Sequence, residues 1–307
     1  MNRQFGAHWL AFLGALKSGE GNSLEEAVIQ AAQEGCQLFE LACHPVNDLS
    51  AIHTARALKN GGITNASYCR FFPGDGSCGD PLAADHGPAV RTIERDIAFI
   101  DNLRKNGINV EFMTGPAAYL LGADYGLAAD DEVGRDGLRS RAKQFLQVIA
   151  PKLEAAKITL CLEYLRPGED FVLGSMQRCV ELVQAVRSKA VRIHFDTFHA
   201  LERDELPHES ILVAGNLLGY VHAHGSKRLP PGAFRLDGNI EMTDLVNWHL
   251  VGKALTAVGY HGPIVPEPFG PVIRQQVPAL GEGLPPPIAG HKFYDLARRH
   301  LQQQGVI

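Results

Sequence analysis

Four short apolar runs in the second half of the chain each carry a side chain that can bind a metal or move a proton. The runs are CLEYL, HFDTFH, YVHAHG and VPEPFG, and the side chains are Glu163, Asp196, His222 and Glu267. Three carboxylates brought together repel one another and lose hydration, which is costly unless a cation compensates. Oxygen-rich ligation with one imidazole suits Mn²⁺, Mg²⁺, Co²⁺ or Fe²⁺ better than it suits a thiolate zinc site. The sequence therefore predicts a divalent-metal site, provided that the fold brings the four runs together.

Three further histidines lie close to these residues in the sequence. His199 is three residues beyond Asp196, so both can face one cavity. His194 precedes Asp196 by two residues and is predicted to be a hydrogen-bonded core histidine deeper in the same register. His224 shares a face with His222, and could either support it or replace it as a ligand.

The elements that must position these residues are short apolar runs alternating with longer amphipathic segments. Eight strand candidates are FGAHWLAF, QLFELACH, ITNASYCRFF, INVEFMTG, ITLCLEYL, VRIHFDTF, LGYVHAHG and PIVPEPF. Helix candidates lie between them. One is SLEEAVIQAAQEG, which has a capping box at Ser23 and Glu26 and a stop at Gly35. Another, VRTIERDIAFIDNLRKNG, has isoleucines at helical spacing.

Eight near-continuously apolar strands alternating with helices predict parallel strands covered on both faces. We expect a single (β/α)8 TIM-barrel domain over residues 1–307. A doubly wound sheet is the alternative, but no GxGxxG or GxxxxGK[ST] follows a strand. In a barrel the strand ends meet at one rim, where active sites lie. Three long loops would rise from that rim: GDGSCGDPLAADHGP, GADYGLAADDEVGRDG and GPVIRQQVPALGEGLPPP.

Composition limits the partners. The chain has 29 Lys and Arg against 34 Asp and Glu, a net charge of −5, so nucleic acid and anionic membranes are disfavoured. No apolar run is long enough to cross a bilayer, and the start lacks a cleavage-site pattern, so we expect a cytoplasmic protein. The six cysteines form no CxxC pair and are predicted to be structural thiols.

Four pieces of the chain resemble the xylose-isomerase-like barrel superfamily, and within it metal-dependent sugar isomerases and epimerases of the ketose 3-epimerase and hydroxypyruvate isomerase kind. They are LEYLRPGED, FDTFHALERDE, GYVHAHGSKRLPPG and GYHGPIVPEPF. The resemblance implies that the metal ligands are Glu163, Asp196, His222 and Glu267. It implies that Glu163 and Glu267 also carry protons, and that Glu169, His199 and Arg228 bind substrate. The implied cofactor is one divalent ion, Mn²⁺ first, with Mg²⁺, Co²⁺, Fe²⁺ or Zn²⁺ as alternatives.

The implied reaction removes a proton next to the carbonyl of a ketose and passes through an enediolate that the cation stabilises. The chain departs from close ketose epimerases by reading PPGAFRLDGNIEM where PGxGxIDW is usual, and by a histidine where a small residue is common after the metal histidine. These departures leave the identity of the sugar substrate undetermined. A non-phosphorylated substrate is favoured, although Lys227 and Arg228 in GSKR could hold a phosphate.

Three rival functions use the same fold. A dehydratase of a keto-sugar or keto-cyclitol would use the same enediolate. A phosphodiester hydrolase of the abasic-endonuclease type would need further histidines and a basic groove, and FRLDGN stands where it needs an aspartate and a histidine. A non-catalytic sugar-binding module would not need the carboxylates. The oligomeric state stays open, with a homodimer or homotetramer as candidates.

The first three strand ends supply candidates for a wall facing the sugar. The candidates are His8, Trp9, Phe12, Cys69, Arg70 and Phe71. For each of them a purely structural place is an equal alternative. Glu40 and His44, at the end of the second strand, are stronger candidates, because a charged pair there is rarely part of a core. Either could instead anchor the rim.

Overall fold

The computed structural model places eight parallel strands side by side in one sheet whose order follows the chain. It describes residues 3–12, 24–43, 50–128, 131–232, 244–269 and 290–307. The strands are β1 Gly6–His8, β2 Leu38–Ala42, β3 Asn65–Cys69, β4 Asn109–Gly115, β5 Thr159–Glu163, β6 Val191–Asp196, β7 Leu218–His222 and β8 Ile264–Val265. A bridge between Phe5 and Ile264 brings β8 back to β1. The sheet is therefore a nearly closed barrel, and the predicted (β/α)8 fold is confirmed. One domain over residues 1–307 stays a prediction.

Helices cover the outside of the barrel between successive strands. They are α1 Leu24–Gln33, α2 Ala51–Asn60, α3 Gly87–Lys105, α4 Glu132–Ala155, α5 Met176–Val186, α6 Thr197–Leu201, α7 Pro207–Ala214, α8 Trp248–Ala257 and α9 Gly290–Gln303. Gly35 has a φ of 80°, as a helix stop requires, whereas Ser23 of the predicted capping box lies outside the described residues. In the described part of the chain, no helix is long and apolar enough to span a membrane.

The strands are buried on both faces, as parallel strands in a barrel should be. Every residue of β2 and of β7 is buried.

Two of the predicted strands are much shorter than their apolar runs. β1 stops at His8, whose Nδ1 accepts the main-chain N–H of Leu10 and starts a 3₁₀ turn over Trp9–Ala11. β8 stops at Val265, so Glu267 lies two residues beyond its strand.

The structure shortens one of the predicted long loops and does not describe another, and it shows the cysteines as free thiols. α4 begins at Glu132, inside the second predicted loop, and so shortens it. The third loop, from residue 270 to 287, lies outside the described residues, and so does His44. All six cysteines are free thiols, and all but Cys78 are buried; their role as structural residues stays a prediction.

Arg70 does not face the barrel mouth, contrary to its prediction as a sugar-wall residue. Its side chain is 1% exposed and donates two hydrogen bonds to Asp96 on α3, at 2.6 Å and 2.5 Å. Tyr68 donates to the same carboxylate at 2.9 Å. A buried guanidinium needs a carboxylate partner, and Asp96 supplies one on the helix side of β3. Arg70 therefore ties α3 to the barrel.

Replacing Asp96 with alanine should destabilise the protein severely, because the Arg70 charge would stay buried without its partner. We expect a loss of about 3 to 5 kcal/mol in the free energy of unfolding, measured by urea denaturation. Asp295→Ala, which removes an ion pair with Arg299 on the surface of α9, is the control and should cost less than about 1 kcal/mol. Equal losses in the two variants would contradict a structural role for the buried pair.

Candidate metal and substrate site

The barrel brings the four predicted ligands together at its rim. β5, β6 and β7 end at Glu163, Asp196 and His222, and Asp196 pairs directly with His222 in the sheet. An irregularity in the β6–β7 pairing lies just before them, between Ile193 and the following residue. Such bulges are common beside active sites, where they re-aim side chains. Glu267 reaches the same place from the loop after β8.

His222 Nδ1 is the point that the three carboxylates share. It lies 3.8 Å from Glu163 Oε1, 4.0 Å from Asp196 Oδ2 and 3.5 Å from Glu267 Oε2. Ligand atoms that each lie about 2.1 Å from one ion are roughly 3 to 4 Å apart. Each of these separations is compatible with a cation shared between that carboxylate and His222. Ligand-capable atoms that lie within 4.8 Å of one another form a group of Asp196, His222, His224 and Glu267, and a second group of Glu163, Asp196 and His199.

Three of these four groups have a buried polar atom without a hydrogen-bond partner among the described residues: Glu163 Oε1, Asp196 Oδ2 and His222 Nδ1. Burying a polar group without a partner is costly, and folded proteins rarely do it. All three atoms are electron-pair donors when the carboxylates are ionised and the imidazole is neutral. The donor set thus fits a divalent cation, although the role of each residue as a ligand stays a prediction.

Glu40 determines which nitrogen of His222 is free. Glu40 is fully buried, and its carboxylate accepts hydrogen bonds from Thr114 and Tyr220, the latter at 3.2 Å. His222 Nε2 lies 2.8 Å from Glu40 Oε2 and must donate to it, because an ionised carboxylate only accepts. The neutral ring then has no proton on Nδ1, which faces the other carboxylates. This arrangement fixes the tautomer that metal ligation requires.

Burial shifts the acid–base equilibria of the whole cluster. It raises the pKa of Glu163 well above its usual value, that of Asp196 to about 6 and that of Glu267 to about 8. Burial lowers the pKa of His222 well below the usual value, and the positive charge of Arg228 adds to this effect. Without a cation, the carboxyl groups are therefore held partly protonated and the imidazole neutral.

His199 lies between two N–H donors. The main-chain N–H of Arg166 donates to His199 Nδ1 at 2.9 Å, and Arg228 Nη2, which can only donate, lies 3.1 Å from Nε2. Nε2 lies 3.8 Å from Glu163 Oε1 and 3.7 Å from Asp196 Oδ2. Glu169 lies beside the same ring, with Oε2 4.0 Å from Nδ1. The structure thus brings His199 and Glu169, two of the predicted substrate-binding residues, to the carboxylate cluster.

Arg228, the third predicted substrate-binding residue, lies across the site and is held rigidly. Its guanidinium is between the rings of Phe198 and Phe269, 4.4 Å and 4.1 Å from their centroids, and Nη1 donates to Glu267 Oε2 at 3.0 Å. The residue adopts a left-handed backbone with a φ of 55°. Non-glycine residues in this region are found where the surrounding structure imposes them, often at functional sites.

A cavity of about 170 Å³ opens above these groups. It is lined by Leu10, Cys69, Phe71, Pro116, Leu121, Glu163, Leu165, Glu169, His199, Arg228, Glu267 and Phe269. Of the six residues predicted for a sugar-facing wall, Cys69 and Phe71 line it. Trp9 and Phe12 instead pack in the hydrophobic core. Sequence reasoning missed the other apolar lining residues, although Leu10, Pro116 and Leu165 lie within two residues of the end of a barrel strand.

Two histidines differ from their predictions. His194 is buried in the core as expected, but neither ring nitrogen has a hydrogen-bond partner among the described residues. It packs edge-on against His222, with ring centroids 4.1 Å apart, and so supports that ring by contact. His8 ends β1 but does not line the cavity. Its Nε2 is 3.4 Å from Glu267 Oε1, and burial lowers its pKa to about 3.

His224 belongs to the same group of ligand-capable side chains as His222. Its Nε2 accepts the main-chain N–H of Glu267 at 3.1 Å, which occupies the lone pair that a metal would use. His224 Nε2 also lies 3.6 Å from Asp196 Oδ2. The structure therefore favours a supporting place for His224 beside the cluster.

Comparison with known proteins gives one family and a consistent set of relatives. The model of the xylose isomerase-like TIM barrel family matches residues 28–285. The D-psicose 3-epimerase of Agrobacterium fabrum is 27% identical over 243 residues, which cover 78% of this chain and 77% of the relative. The D-psicose 3-epimerase of Ruminiclostridium cellulolyticum is 26% identical over 245 residues, with coverages of 78% and 76%. A solved L-ribulose 3-epimerase superposes with a TM-score of 0.78 at 21% identity and covers 100% of this chain and 95% of its own, which shows a shared fold.

The raised pKa of Glu267 predicts how metal-free stability depends on pH. A carboxyl whose pKa is raised on folding stabilises the protein below its ordinary pKa, and the contribution is lost as pH rises through the folded value. Five buried histidines with lowered pKa values act oppositely, but only below about pH 6.5. In EDTA, the melting temperature should therefore fall by several degrees between pH 7 and pH 8.

Thermal unfolding of wild type and Glu267→Gln, each with EDTA and with Mn²⁺, measures this effect. The amide that this substitution introduces cannot titrate, so the fall should be smaller in the variant. Mn²⁺ should raise the melting temperature of the wild type more at pH 8 than at pH 7, because ligands bind as deprotonated groups. Identical pH dependence in wild type and variant would contradict the raised pKa.

Proposed function

Because the chain belongs to the xylose isomerase-like TIM barrel family, we propose that it is a divalent-metal-dependent epimerase or isomerase of a ketose-type sugar. The observation that carries the proposal is a set of three buried atoms without hydrogen-bond partners among the described residues, Glu163 Oε1, Asp196 Oδ2 and His222 Nδ1, beside a cavity that Glu163 lines. The two bacterial relatives, both named D-psicose 3-epimerase, support the reaction class.

Glu163, Asp196, His222 and Glu267 would hold the ion. Mn²⁺ is the proposed ion, because three carboxylates and one imidazole suit it better than they suit a soft metal that prefers thiolate ligands. The alternatives are Mg²⁺, Co²⁺, Fe²⁺ and Zn²⁺. When bound, a divalent cation polarises the carbonyl of a ketose and offsets the negative charge of an enediolate. The chain's own residues must then move the protons.

Glu163 and Glu267 are the proposed proton carriers. Both line the cavity, and they reach it from different strands, β5 and β8. In the metal-free protein burial raises the pKa of both carboxyl groups, which would offset the loss of basicity that metal ligation causes in a proton carrier. One would remove the proton beside the carbonyl, and the other would return one to the opposite face. Return to the opposite face inverts the carbon and produces the epimer.

His199, Glu169 and Arg228 would orient the sugar. The Glu169 carboxylate can accept a hydrogen bond from a substrate hydroxyl, and the His199 ring, whose Nε2 lies 3.1 Å from Arg228 Nη2, lines the same cavity. Among the described residues that line the cavity, Arg228 is the sole cation, and it is already engaged with Glu267. Lys227 pairs instead with Glu202, at 3.7 Å. A non-phosphorylated sugar therefore fits better than a sugar phosphate. A cytoplasmic location and a homodimer or homotetramer stay predictions from sequence.

Glu163→Gln and Glu267→Gln should each lower turnover by about 10²-fold or more without unfolding the protein, because each removes one proton carrier. Proton exchange from D₂O into a panel of ketoses, followed by NMR with and without Mn²⁺, measures the chemistry directly. Circular dichroism checks that the variants are folded. Glu181→Gln, which changes an exposed carboxylate on α5, is the control and should match the wild type.

A double variant of Glu163 and Glu267 that keeps normal activity would defeat the proposal, as would a wild type that exchanges no ketose proton with any divalent ion. Loss of water from a keto-sugar in the same assay would instead identify a dehydratase on the same site.

A further inference from the structure

The backbone at Glu267 is not held by the sheet. β8 ends at Val265, and the main-chain N–H of Glu267 donates to the ring of His224 rather than to a neighbouring strand. Glu163 differs, because it is the last residue of β5 and pairs in the sheet with His194. The two proposed proton carriers are therefore positioned by different means.

We propose that His224 is a positioning residue for Glu267: its ring fixes the main chain of Glu267 and thereby places that carboxylate, and not Glu163, for metal binding and proton transfer. The inference rests on the proposed function of this site. It gives His224 a task that is separate from ligation.

The geometry around His224 suits this task. Thr197 Oγ1 accepts the main-chain N–H of His224 at 2.8 Å and donates to its carbonyl oxygen at 2.7 Å, so the backbone that carries the ring is held on both sides. The residue is fully buried. Its Nε2 receives the Glu267 amide at 3.1 Å and lies 3.5 Å from Arg228 Nη1, a second donor.

The remaining contacts of Glu267 are made by its carboxylate and its carbonyl oxygen. Arg228 Nη1 donates to Oε2 at 3.0 Å and lies 3.4 Å from the carbonyl oxygen, and His8 Nε2 is 3.4 Å from Oε1. Once the amide is released from His224, Arg228 would still attract the carboxylate, but its position relative to His222 would no longer be fixed. The expected defect is a misplaced Glu267 in a folded barrel.

The test compares His224→Leu, which removes the acceptor, with His224→Gln, whose side-chain oxygen can accept the same N–H. Tyr260→Phe is the matched control, because it removes one buried hydrogen bond, to the carbonyl of Pro263, in the segment leading to β8. Calorimetry with Mn²⁺ alone should show about 10- to 100-fold weaker binding in His224→Leu. His224→Gln should recover most of this loss, and Tyr260→Phe should bind as the wild type does.

Proton exchange in D₂O gives a second readout that a general loss of stability would not produce. In His224→Leu, the epimer whose reactive C–H faces Glu163 should still exchange its proton while its conversion slows about 10- to 100-fold. The other epimer should lose exchange and conversion together. In the wild type, both epimers should exchange and interconvert.

Wild-type Mn²⁺ affinity in His224→Leu would overturn the positioning role, and so would an equal loss in Tyr260→Phe or no recovery in His224→Gln. Equal slowing of exchange in both epimers would also overturn it. If the wild type binds Mn²⁺ but exchanges no ketose proton, the proposed function fails while the Mn²⁺ affinities still decide the role of His224. A wild type that binds no Mn²⁺ overturns both.

Discussion

Electrostatic repulsion among buried carboxylates at the mouth of the barrel is the constraint on which the site depends. Glu163, Asp196 and Glu267 are buried within reach of His222 Nδ1, and one guanidinium, that of Arg228, faces them. Full ionisation therefore leaves two negative charges uncompensated in a region of low dielectric. A divalent cation neutralises them, whereas protons alone do so only by raising the carboxyl pKa values. The same cluster therefore destabilises the metal-free protein and favours the binding of a divalent cation.

The surrounding residues are arranged to limit the freedom of this cluster. Glu40 holds His222 from below in one tautomer. Phe198 and Phe269 hold Arg228 from both sides, and its left-handed backbone is tolerated because the packing imposes it. Sites that perform proton transfer need this kind of preorganisation, because a displacement of about 1 Å can cost 10²-fold in rate. The rigid strand ends provide it for Glu163, and side-chain contacts provide it for Glu267.

Sequence patterns predicted the barrel and the position of its polar rim. Parallel strands that are buried on both faces appear in the sequence as apolar runs, so a polar residue at the end of such a run stands out. The same patterns could not show which way a side chain turns. Arg70 directly follows β3, at the end of an apolar run, yet its side chain turns toward α3, because Asp96 offers it a partner there. Glu40 meets His222 across the barrel, a contact between residues 182 positions apart that no local pattern encodes. α7 was not predicted, since its segment lacks a clear helical stripe of apolar residues.

Anomalous diffraction from a crystal grown with Mn²⁺ tests the central claim most directly. A peak within coordination distance of Glu163, Asp196, His222 Nδ1 and Glu267, with Glu40 still bonded to His222 Nε2, is the result that we predict. A rim without a peak, or an ion bound by His194 or His224 in place of His222, would contradict the account.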